Sequence, residues 1–187
     1  MKPTATDTSS PNDASLLLEL PAGLPFSVVL VEPQIPQNAG NIARLCACLG
    51  LELHLVGQLG FRLSDRFYGR AGMDYFSQVH IQHWQDFESL LTSKPGWQAV
   101  YLSTKARNSH YTFSYLPQTM LVFGSETQGL PTEWIDAHPH QSIRLPMVPN
   151  ARSLNLSNAV AVVAYEAIRQ QHLRTHAPET DCLSHKI

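Results

Sequence analysis

The feature that most constrains this chain is the run Phe26-Ser27-Val28-Val29-Leu30-Val31, apolar at every position but one. A strand with one wet face alternates apolar and polar residues. A run without that alternation asks to be covered on both faces, as the central strands of parallel sheets are. The next segments fit such a sheet. After the turn EPQIPQNAGN, apolar residues Ile42, Leu45, Cys46 and Leu49 fall at i, i+3, i+4 and i+7, with Gly50 where a helix would end. Pattern and turn residues predict further strands at 51–56, 78–81, 99–103, 119–123 and 142–145, helices at 64–70, 86–91 and 155–171, and an irregular polar stretch at 104–115. Repeated β-α alternation gives an α/β fold, a mainly parallel sheet flanked by helices.

The chain has 187 residues, enough for one domain with a real core and too few for two. Residues 1–24, rich in Ser, Thr, Pro and Asp, read as a flexible extension; 25–172 form the folded domain and 173–187 a flexible tail. Leu16 to Leu18 are followed by Glu19 and Pro21, so this start fails as a signal peptide, and no stretch reaches the roughly 18 apolar residues of a membrane span. The expected setting is cytoplasmic.

A net charge of −2 argues against a protein that coats nucleic acid without specificity, but it leaves room for a local basic patch. Arg44, Arg62, Arg66, Arg70, Arg144 and Arg152 fall in loops and helix starts, and Arg62, Arg66 and Arg70 are candidates to collect RNA phosphates. Cys46, Cys48 and Cys182 cannot all pair. Cys46 and Cys48, two apart on a helix, point to different faces, and no His pair has a partner at a zinc-site spacing, so no metal is expected.

Ligands of open α/β sheets bind where loops converge at the carboxyl ends of strands. Three loops there carry unusual polar and glycine content: residues 32–41 running into the helix that bears Arg44, residues 124–131 (GSETQGLP), and residues 146–155 running into the last helix. Singly, each has a plain reading: Asn38 and Asn155 as helix caps, Gly124 and Gly129 as bends. GxGxxG, GxxxxGK[ST] and GxSxG are all missing, which disfavours dinucleotide, phosphate-loop and esterase sites.

Together the loops resemble the three motifs of the SPOUT superfamily of knotted RNA methyltransferases. The likeness is greatest to the small tRNA (cytidine/uridine-2′-O-)-methyltransferases that modify the wobble nucleotide. It rests on EPQIPQNAGNIARLCACLGLELHLV, LGFRLSDRFYGRAGMDYF, LVFGSETQGLP and IRLPMVPNARSLNLSNAVAVVAYEAIRQ, and spans roughly residues 26–171. The resemblance implies a C-terminal trefoil knot, which general topology rules would not suggest, a homodimer with sites completed across the interface, and S-adenosylmethionine as cofactor. By motif position Leu102, Gly124, Leu145, Ser153 and Leu154 surround the cofactor. The leucines would clamp a flat adenine, and Gly124, lacking a side chain, would let the backbone approach the ligand. Arg44 is marked as catalytic, with Asn38 orienting it or the ribose. Glu126, Arg152, Asn155 and Tyr165 are substrate-contact candidates. The last helix, small and apolar nearly all round, suits burial against a second subunit. Ser125 stands where relatives usually have Pro, and Gln128 where they have Arg, which removes a charge toward RNA. Methylation of another tRNA or rRNA ribose, or RNA binding without catalysis, is the competing expectation.

Overall fold

A computed structural model of the chain describes residues 20, 23–62 and 79–175. Residues 1–19, 21 and 22 of the extension, the 64–70 helix with Arg66 and Arg70, and the tail beyond Thr175 with Cys182 lie outside the described residues, whereas Leu24, read as the end of the extension, is buried in the core.

Seven strands form one sheet: β1 (Phe26–Val31), β2 (Glu52–Val56), β3 (Ile81–Trp84), β4 (Gln98–Leu102), β5 (Asn108–Ser109), β6 (Thr119–Phe123) and β7 (Ser142–Arg144). Their order is β3-β2-β1-β6-β4-β7-β5, and every pairing is parallel. The apolar run is β1, buried at all six positions between β2 and β6. Its lack of alternation now has its cause, since successive side chains point to opposite faces. Phe26, Val28 and Leu30 join one core and Val29 and Val31 the other.

The first core is covered by α1 (Pro36–Leu49) through Ile42, Ala43 and Cys46, and by α4 (Leu156–Thr175) through Val160, Val163 and Ala167. The second lies under α2 (Phe87–Ser93) and α3 (Thr132–Ala137), through Phe87, Leu90 and Ile135. Helix α1 starts on Pro36 and stops at Gly50, whose φ of 65° lets the Gly50 and Leu51 amides turn back to the carbonyls of Ala47 and Cys46. Asp86 caps α2 by accepting from the Ser89 amide at 2.7 Å.

Several boundaries differ from the sequence pattern. The third strand is Ile81–Trp84, not 78–81: as an edge strand it is only half-buried and its IQHW carries little apolar signal. Pairing of Leu53 with Ile81 through Val56 with Trp84 sets its register. Helix α3 was not expected, because six residues, TEWIDA, are too few for periodicity to show. The stretch read as irregular contains β5 and a 3₁₀ turn over His110–Thr112. Helix α4 runs on to Thr175, past the expected end at 171.

Candidate functional site

The three polar loops meet. They follow the carboxyl ends of β1, β6 and β7 and, with the segment after β4, enclose a cavity of about 640 Å³, within the roughly 300–1,000 Å³ that small-molecule sites occupy. All five expected cofactor residues, Leu102, Gly124, Leu145, Ser153 and Leu154, line it, as do Asn38, Glu126, Arg152 and Asn155. Ser103, Thr104 and Lys105, from the loop after β4, and Met147, from the third loop, also line it; both are loops that the resemblance sets against the cofactor, whereas Phe123, at the end of β6, was not singled out by sequence. Apolar walls from Leu102, Phe123, Leu145, Met147 and Leu154, with a polar rim of Ser103, Asn38 and Ser153, suit a flat heteroaromatic group joined to a polar chain. Adenosine with a charged amino-acid arm is such a molecule, so the residues fit S-adenosylmethionine.

A hydrogen-bond chain ties the loops together. The Glu126 carboxylate accepts from the Gln34 amide at 2.9 Å, the Ile35 amide at 3.3 Å and Asn38 Nδ2 at 2.9 Å. Helix α1 has no side-chain cap and no acidic residue in its first turn. Glu126, from a loop 88 residues away, supplies that negative charge where the helix macrodipole favours it. A carboxylate only accepts, so Asn38 must turn its NH₂ toward it and present Oδ1 to the other side. There Asn155 Nδ2 donates at 2.9 Å. This orientation leaves Asn155 Oδ1 to cap α4, accepting from the Ser157 amide at 2.9 Å, the Ser157 hydroxyl at 2.7 Å and the Asn158 amide at 3.3 Å. Asn155 therefore is a helix cap and a link between loops. Asn38 is 6% exposed, so its amide depends on these partners.

The turn after β6 is drawn tight by the Gly129 amide donating to the Ser125 carbonyl at 2.9 Å. A Cβ on Gly124 would sit 2.0 Å from the Gly129 carbonyl carbon and 2.2 Å from the Leu130 nitrogen. The bare backbone expected to admit a ligand is instead required by the loop's own closure, although Gly124 does face the cavity.

Arg44 and Tyr165 are not part of the cavity lining. Arg44 lies on the exposed face of α1 with Gln37, Asn41 and Cys48. Tyr165, 55% exposed, lies on the outer face of α4 near Val162, 48% exposed. Helices α1 and α4 pack side by side. Arg62 and Arg144 are exposed. Burial pushes the Cys46 thiol up to about 12, so it is no nucleophile. Among the described residues there is no group of three His, Cys, Asp or Glu that could hold a metal and no helix long and apolar enough to cross a membrane.

Comparison with known proteins places this geometry. Residues 25–165 match the SpoU rRNA Methylase family. A tRNA (cytidine(34)-2′-O)-methyltransferase of Methylovorus glucosotrophus is 47% identical over 146 residues, 78% of this chain and 95% of the relative. A solved structure described as giving insight into 2-OH methylation of C/U34 on tRNA superposes with a TM-score of 0.73 at 41% identity, covering 79% of this chain and 96% of that one. An AdoMet-bound rRNA methyltransferase from Sinorhizobium meliloti superposes with a TM-score of 0.66 at 26% identity, over 81% of this chain and 58% of that one.

Proposed function

The chain belongs to the SpoU rRNA Methylase family, and on that premise we propose that it methylates the ribose 2′-oxygen of nucleotide 34 of tRNA, a cytidine or a modified uridine, using S-adenosylmethionine. The observation that carries this reading is the cavity where three loops far apart in sequence meet the segment after β4, with Leu102, Gly124, Leu145, Ser153 and Leu154 all on its wall.

When bound, the cofactor supplies an electrophilic methyl group on a sulfonium, whose transfer to oxygen is an in-line displacement. The chain's own work is placement. Leu102, Leu145 and Leu154 would hold the adenine between apolar surfaces, and Ser153, also on the wall, would meet its polar arm. The Glu126–Asn38–Asn155 chain fixes the start of α1 against that pocket. Arg44, on the same helix, clamps an RNA phosphate and polarises the 2′-hydroxyl. A guanidinium holds its proton too tightly to act as the base; the proton passes to the phosphate or to water. Arg152 adds positive charge at the mouth.

A homodimer belongs to this reading. Arg44 is exposed on α1 and outside the cavity of its own chain, and the adjoining face of α4 exposes Val162 and Tyr165. A second copy over this face would bury those side chains and bring its Arg44 to the neighbouring pocket. The trefoil knot belongs to it too: β6 enters between β1 and β4, and β7 between β4 and β5, so the end of the chain is inserted among strands already laid down. The protein acts in the cytoplasm, where its tRNA is.

The test is incubation with methyl-labelled S-adenosylmethionine and total tRNA, with mapping of the labelled ribose. Label at position 34 is expected, and Arg44→Ala abolishes transfer while cofactor affinity stays normal. Label elsewhere, RNA binding without transfer, or undiminished turnover by Arg44→Ala would overturn the corresponding part of the reading.

A further inference from the structure

Beside the cofactor cavity lies a second one, of about 440 Å³, to which the proposed methyl transfer assigns no role. The two share Lys105, Gln128 and Gly129, so they are neighbours across the turn after β6. The second opens at the carboxyl ends of β1 and β2, where Val31 and Val56 reach its wall. Phe87 and Trp134, stacked with ring centroids 4.7 Å apart, give it an aromatic side. Glu32, Asp86 and Thr132 give it polar groups, and Lys105 stands between the cavities with its ammonium donating to the Thr132 hydroxyl at 2.8 Å.

Glu32 is the unusual member. Its φ is 49°, left-handed, directly before Pro33, where the preceding residue is normally confined to extended backbone. The conformation is held from both ends: the Glu32 amide donates to the Val56 carbonyl at 2.8 Å, and the Glu32 carbonyl accepts from Gln34 Nε2 at 2.7 Å. Among the described residues nothing hydrogen-bonds its carboxylate. A strained residue that carries such an acceptor into a cavity next to the proposed reaction centre is what a ligand-reading position looks like.

We infer that this second cavity is a subsite for one unpaired nucleobase of the RNA, adjacent to the ribose being methylated. The inference rests on the proposed RNA methyltransferase function. The space suits a single nucleoside. Trp134, half-buried and backed by the buried Phe87, offers the aromatic contact on which proteins hold splayed bases. The carboxylates of Glu32 and Asp86 accept from exocyclic amines and ring N–H groups, so they read the edge of a base rather than its phosphate. Lys105, where the two cavities meet, is placed for the sugar-phosphate link between the held base and the reacting ribose.

The test is a coupling experiment on the full chain. Stem-loop RNAs bearing the target loop are made with each loop base in turn replaced by an abasic sugar. Binding, by fluorescence anisotropy, and kcat/KM are measured for the wild type and for Glu32→Gln combined with Asp86→Asn. Neither residue lines the cofactor cavity, and Asn keeps the cap of α2. At one loop position the abasic sugar costs the wild type roughly tenfold in binding and in kcat/KM, and costs the variant about twofold or less. Equal penalties for both proteins at every position would overturn the subsite. A wild type that methylates none of the RNAs would refute the functional reading instead, and the binding measurements would still decide the subsite.

Discussion

Glu126→Ala tests whether the carboxylate holds the site together. The substitution removes acceptors from three donors, and these are not equivalent. The Gln34 and Ile35 amides lie in an exposed turn, where water can replace the lost partner; each costs about 0.5 kcal/mol, the low end for a net hydrogen bond. Asn38 Nδ2 belongs to a side chain only 6% exposed, and a stranded buried donor costs about 2 kcal/mol. The sum, about 3 kcal/mol, is a sizeable share of the roughly 5–15 kcal/mol of a typical domain. For a chain of this length it corresponds to a fall in Tm of about 6–12 °C. Thermal unfolding monitored by circular dichroism measures it. Asn38→Ala removes the stranded donor, so the double variant is less destabilised than the sum of the singles by about 1.5 kcal/mol. A Tm within about 2 °C of wild type, or strict additivity, would refute the idea that these loops are joined by a shared charge.

Three further outcomes are expected from particular contacts. Gly124→Ala places a methyl 2.0 Å from the Gly129 backbone, so the turn must open; cofactor affinity measured by calorimetry falls at least roughly tenfold, as expected when backbone must shift, and unchanged affinity contradicts the tight turn. His54 is buried, which holds its pKa down at about 4, and its Nδ1 accepts from Trp84 Nε1 at 3.2 Å, which only neutral His54 can do with the proton on Nε2. The unfolded chain takes up a proton near pH 6.5 while the folded one does not, so this contribution is complete above about pH 6.5 and is lost as pH falls toward 4, by about 3 kcal/mol; urea titrations across that window show the slope, and His54→Gln flattens it. Tyr165→Arg, on the exposed face of α4, yields a folded monomer by light scattering and circular dichroism with lost methyl transfer; a dimer that persists argues against this face as the interface.

The fold was legible where burial is two-sided and helices are long. The unbroken apolar run of β1, the spacing of Ile42, Cys46 and Leu49, and Gly50 as a stop each express a constraint that acts over a few residues. What escaped lacked such a local record. Helix α3 is six residues long and is held by Ile135 and Trp134 packing under the sheet, a tertiary cause. The third strand is specified by its ladder with β2 more than by its own IQHW. Strand order, with β6 and β7 entering between earlier strands, has no signature in periodicity at all.

For the site, the loops were legible as polar and glycine-rich segments at strand ends, but the division of labour within them was not. Asn38, Glu126 and Asn155 each have an ordinary local explanation, and the bonds that join them span 88 and 117 residues, distances at which spacing carries no information. The direction of the chain comes from chemistry that the sequence does contain. A carboxylate cannot donate, so it orients the first amide, which orients the second, which is left with the oxygen a helix N-terminus needs. One acidic side chain thus sets the polarity of two helix starts that meet at the pocket. That explains why the most polar residues of the three loops are spent on one another, leaving the apolar wall and Ser103 and Ser153 for the ligand. It also separates two places that a motif runs together: Glu126, Asn38 and Asn155 are bonded to one another at the pocket, whereas Arg44 lies on the exposed face of the same helix, outside the pocket lining.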